Sequence, residues 1–214
     1  MMKLYRPLQS NTLSQGFGEN KVCIYPDGRL VLNFGKTCPI YTESVYKKYG
    51  MIAHNGQDWG CWYGEPIYHS GEFSGIMKTE VDNAGGVGVD IISKEKVFMY
   101  KGNPTYVKLR YWHLKSVVGF DGKEIKEGDL IGYGDSTGVS TGNHLHWAFK
   151  PCNASGGNVD GQNGYFGAID QAPYFVDMFV LDAVQKKQEV FSTIDYVRKA
   201  LFGIKVALDK LMGK

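Results

Sequence analysis

The sequence has no apolar run near the roughly 20 residues that a membrane-spanning helix needs, so no transmembrane segment is expected. Its opening residues, Met1 to Ser10, also lack the apolar core of about 7–15 residues of a secretory signal. If the chain is complete, it does not leave the cell by the signal-peptide route. An excess of charge is missing too. The 24 Lys and Arg stand against 22 Asp and Glu, a net charge of +2 that is too mild for a nucleic-acid partner. No two cysteines are spaced CxxC, so a cysteine zinc site is not expected. No HExxH is present, which removes the helix that carries a histidine pair and a glutamate base in thermolysin-like enzymes.

What the chain does have is glycine, 28 residues of it, and 14% aromatics in short apolar runs broken by Gly, Asn and Asp. At 214 residues this suits one mainly antiparallel β domain with appendages. Strands are expected over 75–78, 87–92, 97–100 and 106–112. Residues 21–49 read as a hairpin, 22–25 and 30–34 around Pro26-Asp27-Gly28, followed by a short helix over 43–49 that Gly50 stops. Cys23 and Cys38 flank that hairpin and can bridge it; free buried cysteines at all four positions, Cys61 and Cys152 included, are the alternative. Residues 151–173, rich in Gly and Asn, read as a loop-rich edge. Residues 174–214 read as a C-terminal amphipathic helical extension. In it Val190, Ile194, Val197, Leu201, Ile204, Leu208 and Leu211 alternate spacings of four and three, an a/d stripe that Gly203 interrupts. Such a stripe packs on its own domain, on a copy of itself, on a partner protein or on a membrane surface.

Four of the five histidines sit in motif-like settings. In Thr137-Gly138-Val139-Ser140-Thr141-Gly142-Asn143-His144-Leu145-His146-Trp147, a turn of small residues runs into a strand. Side chains at i and i+2 of a strand share a face, so His144 and His146 project together while Leu145 enters the core. His54-Asn55-Gly56-Gln57-Asp58 adds an imidazole and a carboxylate, with Gly56 letting the backbone bend or approach closely. Tyr111-Trp112-His113-Leu114 adds a further imidazole in an aromatic strand. His69 matches no such motif and reads as a surface histidine.

Taken in order, HxGxD, YxHL and STGxHLH resemble the lysostaphin-type zinc endopeptidases, which cut peptide bridges and stems in bacterial cell walls. The resemblance runs from about Ser14 to Lys150 and includes Ser14-Gln15-Gly16-Phe17-Gly18, Gly64-Glu65-Pro66-Ile67-Tyr68 and Ile125-Lys126-Glu127-Gly128-Asp129-Leu130-Ile131-Gly132. Relative to the family, residues 21–49 look like an insertion beside the groove.

The resemblance implies an antiparallel β-sheet core in a peptidase domain of residues 1–173, with one Zn²⁺ held by His54, Asp58 and His146. It implies His144 as proton acceptor and His113 as stabiliser of the intermediate, with peptidoglycan peptides as substrate. Candidate substrate contacts are Tyr49, Tyr111, Thr141 and Asn143. A wall-cutting enzyme without a leader is expected to arrive on a phage particle, to be released at lysis, or to have had its leader removed. The C-terminal helix would then self-associate or dock to a phage structural protein. A second reading is a binding or regulatory module on the same fold.

Overall fold

The computed structural model describes residues 2–32 and 38–211. Its main sheet is built from six longer or site-bearing strands: β1 (Leu13–Gln15), β2 (Gln57–Gly60), β3 (Gly75–Asp82), β4 (Gly86–Ser93), β5 (Asn103–Val117) and β6 (His144–Cys152). They lie in the order β3-β4-β5-β6-β2-β1, every neighbour antiparallel. The expected strands are all present, and those over 75–78 and 106–112 run on to Asp82 and Val117.

Alternation sorts the two faces. Leu109 and Tyr111 on β5, Leu145, Trp147 and Phe149 on β6, and Val89 and Ile91 on β4 have no exposed surface and form the core. Burying each such side chain contributes about 1.5–3 kcal/mol. The opposite face of β5 and β6 carries Trp112, Arg110 and Lys108 beside His146, Ala148 and Lys150, and this polar face holds the site.

His69 is not on the surface. It is fully buried, its Nε2 2.9 Å from the Phe73 carbonyl and its Nδ1 3.2 Å from the Tyr111 hydroxyl. An aromatic strand partner and a tight turn at Gly71 enclose it, which spacing alone does not reveal. Burial pushes its pKa down to about 4. The unfolded chain takes a proton there near pH 6.5 and the folded chain does not, so stability drains as pH falls from about 6.5 to 4. His69→Gln is expected to flatten that part of the curve by roughly 3 kcal/mol, read from denaturant unfolding at pH 7 and pH 4.5.

The 21–49 segment forms a three-stranded sheet, Leu30–Leu32, Val22–Ile24 and Glu43–Ser44, tied by a Cys23–Cys38 disulfide with Cα atoms 5.7 Å apart. Cys61 and Cys152 are free thiols. Phe34, at the end of the expected hairpin, lies outside the described residues. The expected helix over 43–49 is instead a 3₁₀ turn, Val45–Tyr49, capped by Ser44 and ended by Gly50 at φ 74°. Five residues are too few for a stable α-helical nucleus.

The C-terminal extension does not start as a helix. Phe175–Phe179 is a strand paired in parallel with Leu4–Arg6, and only then does α1 (Val180–Leu211) begin. It continues through Gly203. Its first turns pack on the domain through Val180 and Ala183, and Lys187 reaches Glu72 and Glu127 at 2.8 Å. Beyond that point Val190, Ile194, Val197, Leu201 and Ile204 are 41–60% exposed, so that part of the stripe does not pack on its own domain. The side chains of Leu208 and Leu211 lie outside the described residues. No described helix is long and apolar enough to cross a membrane.

Candidate metal centre

The register of three strands assembles the centre. Asp58 on β2 stands opposite His146 on β6, and His146 stands opposite Trp112 on β5. His54 comes from the turn before β2, where its backbone is bonded to Gly18 and Glu19 and its ring Nδ1 donates to the Gly16 carbonyl at 3.0 Å. That hydrogen bond fixes the tautomer and leaves the Nε2 lone pair aimed at the site. Gly56 lets this turn close: a Cβ there would lie 2.7 Å from the Trp147 carbonyl oxygen and 2.8 Å from His146 Cε1.

Three potential ligand atoms converge. His54 Nε2 lies 3.0 Å from His146 Nδ1 and 3.1 Å from Asp58 Oδ1, and His146 Nδ1 lies 3.0 Å from Asp58 Oδ1. Ligand atoms bound to one tetrahedral zinc at about 2.0–2.1 Å sit roughly 3.3 Å from each other, so this near-equilateral triangle fits one ion with small adjustment. Among the described residues these three form the one cluster of His, Cys, Asp or Glu able to hold a metal.

The electrostatics agree. Burial works against the Asp58 carboxylate, yet the His54 and His146 imidazoles hold it well below the usual carboxylate range. Burial pushes His146 down to about 3 in spite of Asp58. Burial also opposes charge on His54, but Asp58 outweighs it and raises its pKa. The Asp58 carboxylate thus stays charged and the His146 imidazole neutral, the forms in which both groups bind a cation.

The other two histidines face the same groove without joining the triangle. His144 Nδ1 is 2.8 Å from the Gly142 carbonyl, and its Nε2 is 3.7 Å from Asp58 Oδ1. His113 Nδ1 is 2.6 Å from the Thr137 carbonyl, and its ring centroid is 4.6 Å from that of His144. Regular alternation would send His113 into the core with Tyr111. Instead the β5–β4 register shifts between Tyr111 and Leu114, and His113 takes φ 64°, which turns its ring to the groove.

The groove encloses about 740 Å³, and Tyr49, Thr141 and Asn143 are among its lining residues. Tyr111 is a correction. It precedes the bulge, has no exposed surface, and its hydroxyl accepts from the Ser70 N–H at 3.1 Å, so it is a core residue with no access to substrate. Tyr46 was not legible as a site residue. It lines the groove three positions before Tyr49, on the same side of the 3₁₀ turn, with its ring 5.5 Å from His54 and its hydroxyl bonded to Gln15. Burial, then the Asp58 charge, keep that hydroxyl protonated. The three-residue spacing of the two tyrosines was the available signal.

The model of peptidase family M23 matches residues 52–160, just over half of the chain, and that span includes all three ligand candidates and both further histidines. The chain belongs to peptidase family M23. Family M23 is zinc-dependent, and His54, Asp58 and His146 form a group that could hold such an ion. The M23 domain is 33% identical over 113 residues to the peptidoglycan DD-endopeptidase ShyA of Vibrio cholerae, a match covering 51% of this chain and 24% of that protein. It is 30% identical over 97 residues to ShyB of the same organism, covering 45% and 20%. The match thus spans a quarter or less of these relatives' own length.

Among solved structures, the M23 domain is similar to the catalytic domain of lysostaphin from Staphylococcus simulans, with 23% identity, TM-score 0.47, and 76% and 90% of the two chains covered. It is also similar to a chain of the SpoIIQ–SpoIIIAH pore-forming complex, with 15% identity, TM-score 0.51, and coverage of 87% and 98%. The second likeness is one of fold alone, so chemistry has to be argued from the M23 site itself.

Proposed function

We propose that this M23 domain is a zinc-dependent endopeptidase that hydrolyses peptide bonds in bacterial peptidoglycan, in stems or cross-bridges. The observation that carries the reading is the triangle of His54, Asp58 and His146 with a second imidazole pair across from it. One zinc there would lower the pKa of water and polarise the scissile carbonyl. The names of the curated relatives, DD-endopeptidases, favour the cross-link between stems as the bond cut.

In this reading, His144 accepts the proton of the attacking water. Its Nδ1–H is committed to the Gly142 carbonyl, so the Nε2 lone pair, closest to Asp58, is the free one. His144 then passes that proton to the leaving amine, while His113, when protonated, donates from Nε2 to the developing oxyanion. Burial and the neighbouring His144 depress the His113 pKa, so this donating form becomes scarcer as pH rises. Thr137 holds His113 in its left-handed conformation through the short bond to Nδ1. Tyr49, Thr141 and Asn143 form the groove edges that a peptide strand would contact.

The Cys23–Cys38 disulfide fits action in an oxidising compartment, outside the cytoplasm. The test is release of new amino termini from purified walls, with and without chelator. His144→Ala is expected to retain the metal and lose about 10²–10⁴-fold in kcat. Equal activity of that variant would remove His144 from the mechanism. A binding module on the same fold is the second reading; it predicts wall binding without any release of amino termini.

A further inference from the structure

The groove floor carries buried charge that the proposed chemistry does not use. Beyond Trp112 and His146, Arg110 on β5 stands opposite Ala148 on β6 and Asp90 on β4, and Lys108 stands opposite Lys150. Three cations therefore share one carboxylate, and the sharing is uneven. Asp90 accepts from Arg110 Nε and Nη2, both at 2.7 Å, and Lys108 Nζ lies 3.2 Å from it. Among the described residues Lys150 Nζ donates only to the Phe166 carbonyl, at 3.1 Å, although Lys150 is 1% exposed. Arg110 Nη1 makes no hydrogen bond among the described residues, and the guanidinium carbon lies over the Trp112 ring, 4.4 Å from its centroid. The nearest other carboxylates are committed: Glu80 to Lys78 at 2.9 Å and Asp82 to the N–H groups of Ala84 and Gly85.

An ammonium with three N–H donors and one acceptor is costly to bury. Burial, helped by the Arg110 and Lys108 charges, pushes Lys150 down to about 7. An apolar residue would pack the strand at less cost unless an anion arrives to complete the set. Both Arg110 and Lys150 line the same groove as the metal triangle. Strand geometry puts them about two and four extended substrate residues along from His146, since alternate positions are roughly 7 Å apart and each extended residue spans roughly 3.4 Å.

We propose that Arg110 and Lys150 form a carboxylate-binding subsite in the groove floor, which takes a free carboxylate of the substrate peptide near the cleaved bond and so selects acidic stems over amidated or glycine-only chains. The assignment rests on the endopeptidase reading for its substrate class.

The test compares soluble cross-linked stem peptides with free carboxylates against the same peptides after carbodiimide amidation. The zinc-loaded full chain is expected to favour the acidic peptide by about tenfold or more in kcat/KM, the scale of one charge-assisted hydrogen bond. Lys150→Met removes a poorly partnered buried charge. It is expected to keep or raise Tm and to bring the ratio close to one. Equal rates on both peptides with the unaltered chain, or a preference that survives in Lys150→Met, would overturn the subsite. Calorimetric binding of the same two peptides to the metal-free chain separates the two readings. No cleavage but carboxylate-dependent binding sinks the endopeptidase reading and spares the subsite; carboxylate-independent binding sinks the subsite alone.

Discussion

Asp58→Ala is expected to abolish hydrolysis of purified walls, by more than about a thousandfold, while the chain stays folded. Among the described residues Asp58 is the only anion paired with His54 and His146, and His144 Nε2 lies 3.7 Å from the same oxygen. Without it, two neutral imidazoles remain, a poor site for a divalent ion, and His54 loses the charge that raises its pKa. The fold should survive because the core of Leu109, Tyr111, Leu145, Trp147 and Phe149 lies on the opposite face of the sheet. Amino-terminus release and a thermal melt on one preparation check both halves. Retained activity would remove Asp58 from the site, and loss of the cooperative melt would make its role structural.

Gly56→Ala is expected to damage stability and metal binding together. The added methyl would meet the Trp147 carbonyl at 2.7 Å and His146 Cε1 at 2.8 Å. One obstacle is backbone in the central strand and the other is a buried ring, so neither yields cheaply. Overpacking of this kind costs about 1–3 kcal/mol or more, which for a chain of this length lowers Tm by roughly 3–10 °C. Displacing His146 should weaken zinc affinity about 10–100-fold as well, as loss of a supporting contact around a metal ligand does. Gly142→Ala is the control, since nothing lies within 4 Å of its added methyl. If Gly56→Ala melts and binds zinc like the unaltered chain, the turn between His54 and Asp58 is looser than described.

The residues that carry the site were legible wherever strand alternation holds. His144, Leu145 and His146 obey period two, so their two faces could be read from spacing, and Gly56 was recognisable as a point of close approach. Alternation failed at one place. The bulge after Trp112 reverses parity, which put His113 into the groove and left Tyr111 in the core, and no residue type in Tyr111-Trp112-His113-Leu114 announces it. His69 was misjudged because its burial depends on Phe73 and Tyr111, partners it meets only through tertiary packing. Cys23 and Cys38 could be placed across a hairpin, but whether they bond depends on a Cα separation that sequence does not carry. The charged face of Lys108, Arg110 and Lys150 was not singled out from the sequence, because its meaning depends on the β5–β6 register that sets Lys108 opposite Lys150.

Zinc content of the full chain, purified without added metal and measured by inductively coupled plasma mass spectrometry, bears on the triangle of His54, Asp58 and His146 most directly. One zinc per chain, removed by chelator and absent from Asp58→Ala, is the predicted result. A well-folded chain with no stoichiometric metal, or one whose zinc persists in Asp58→Ala, would contradict it.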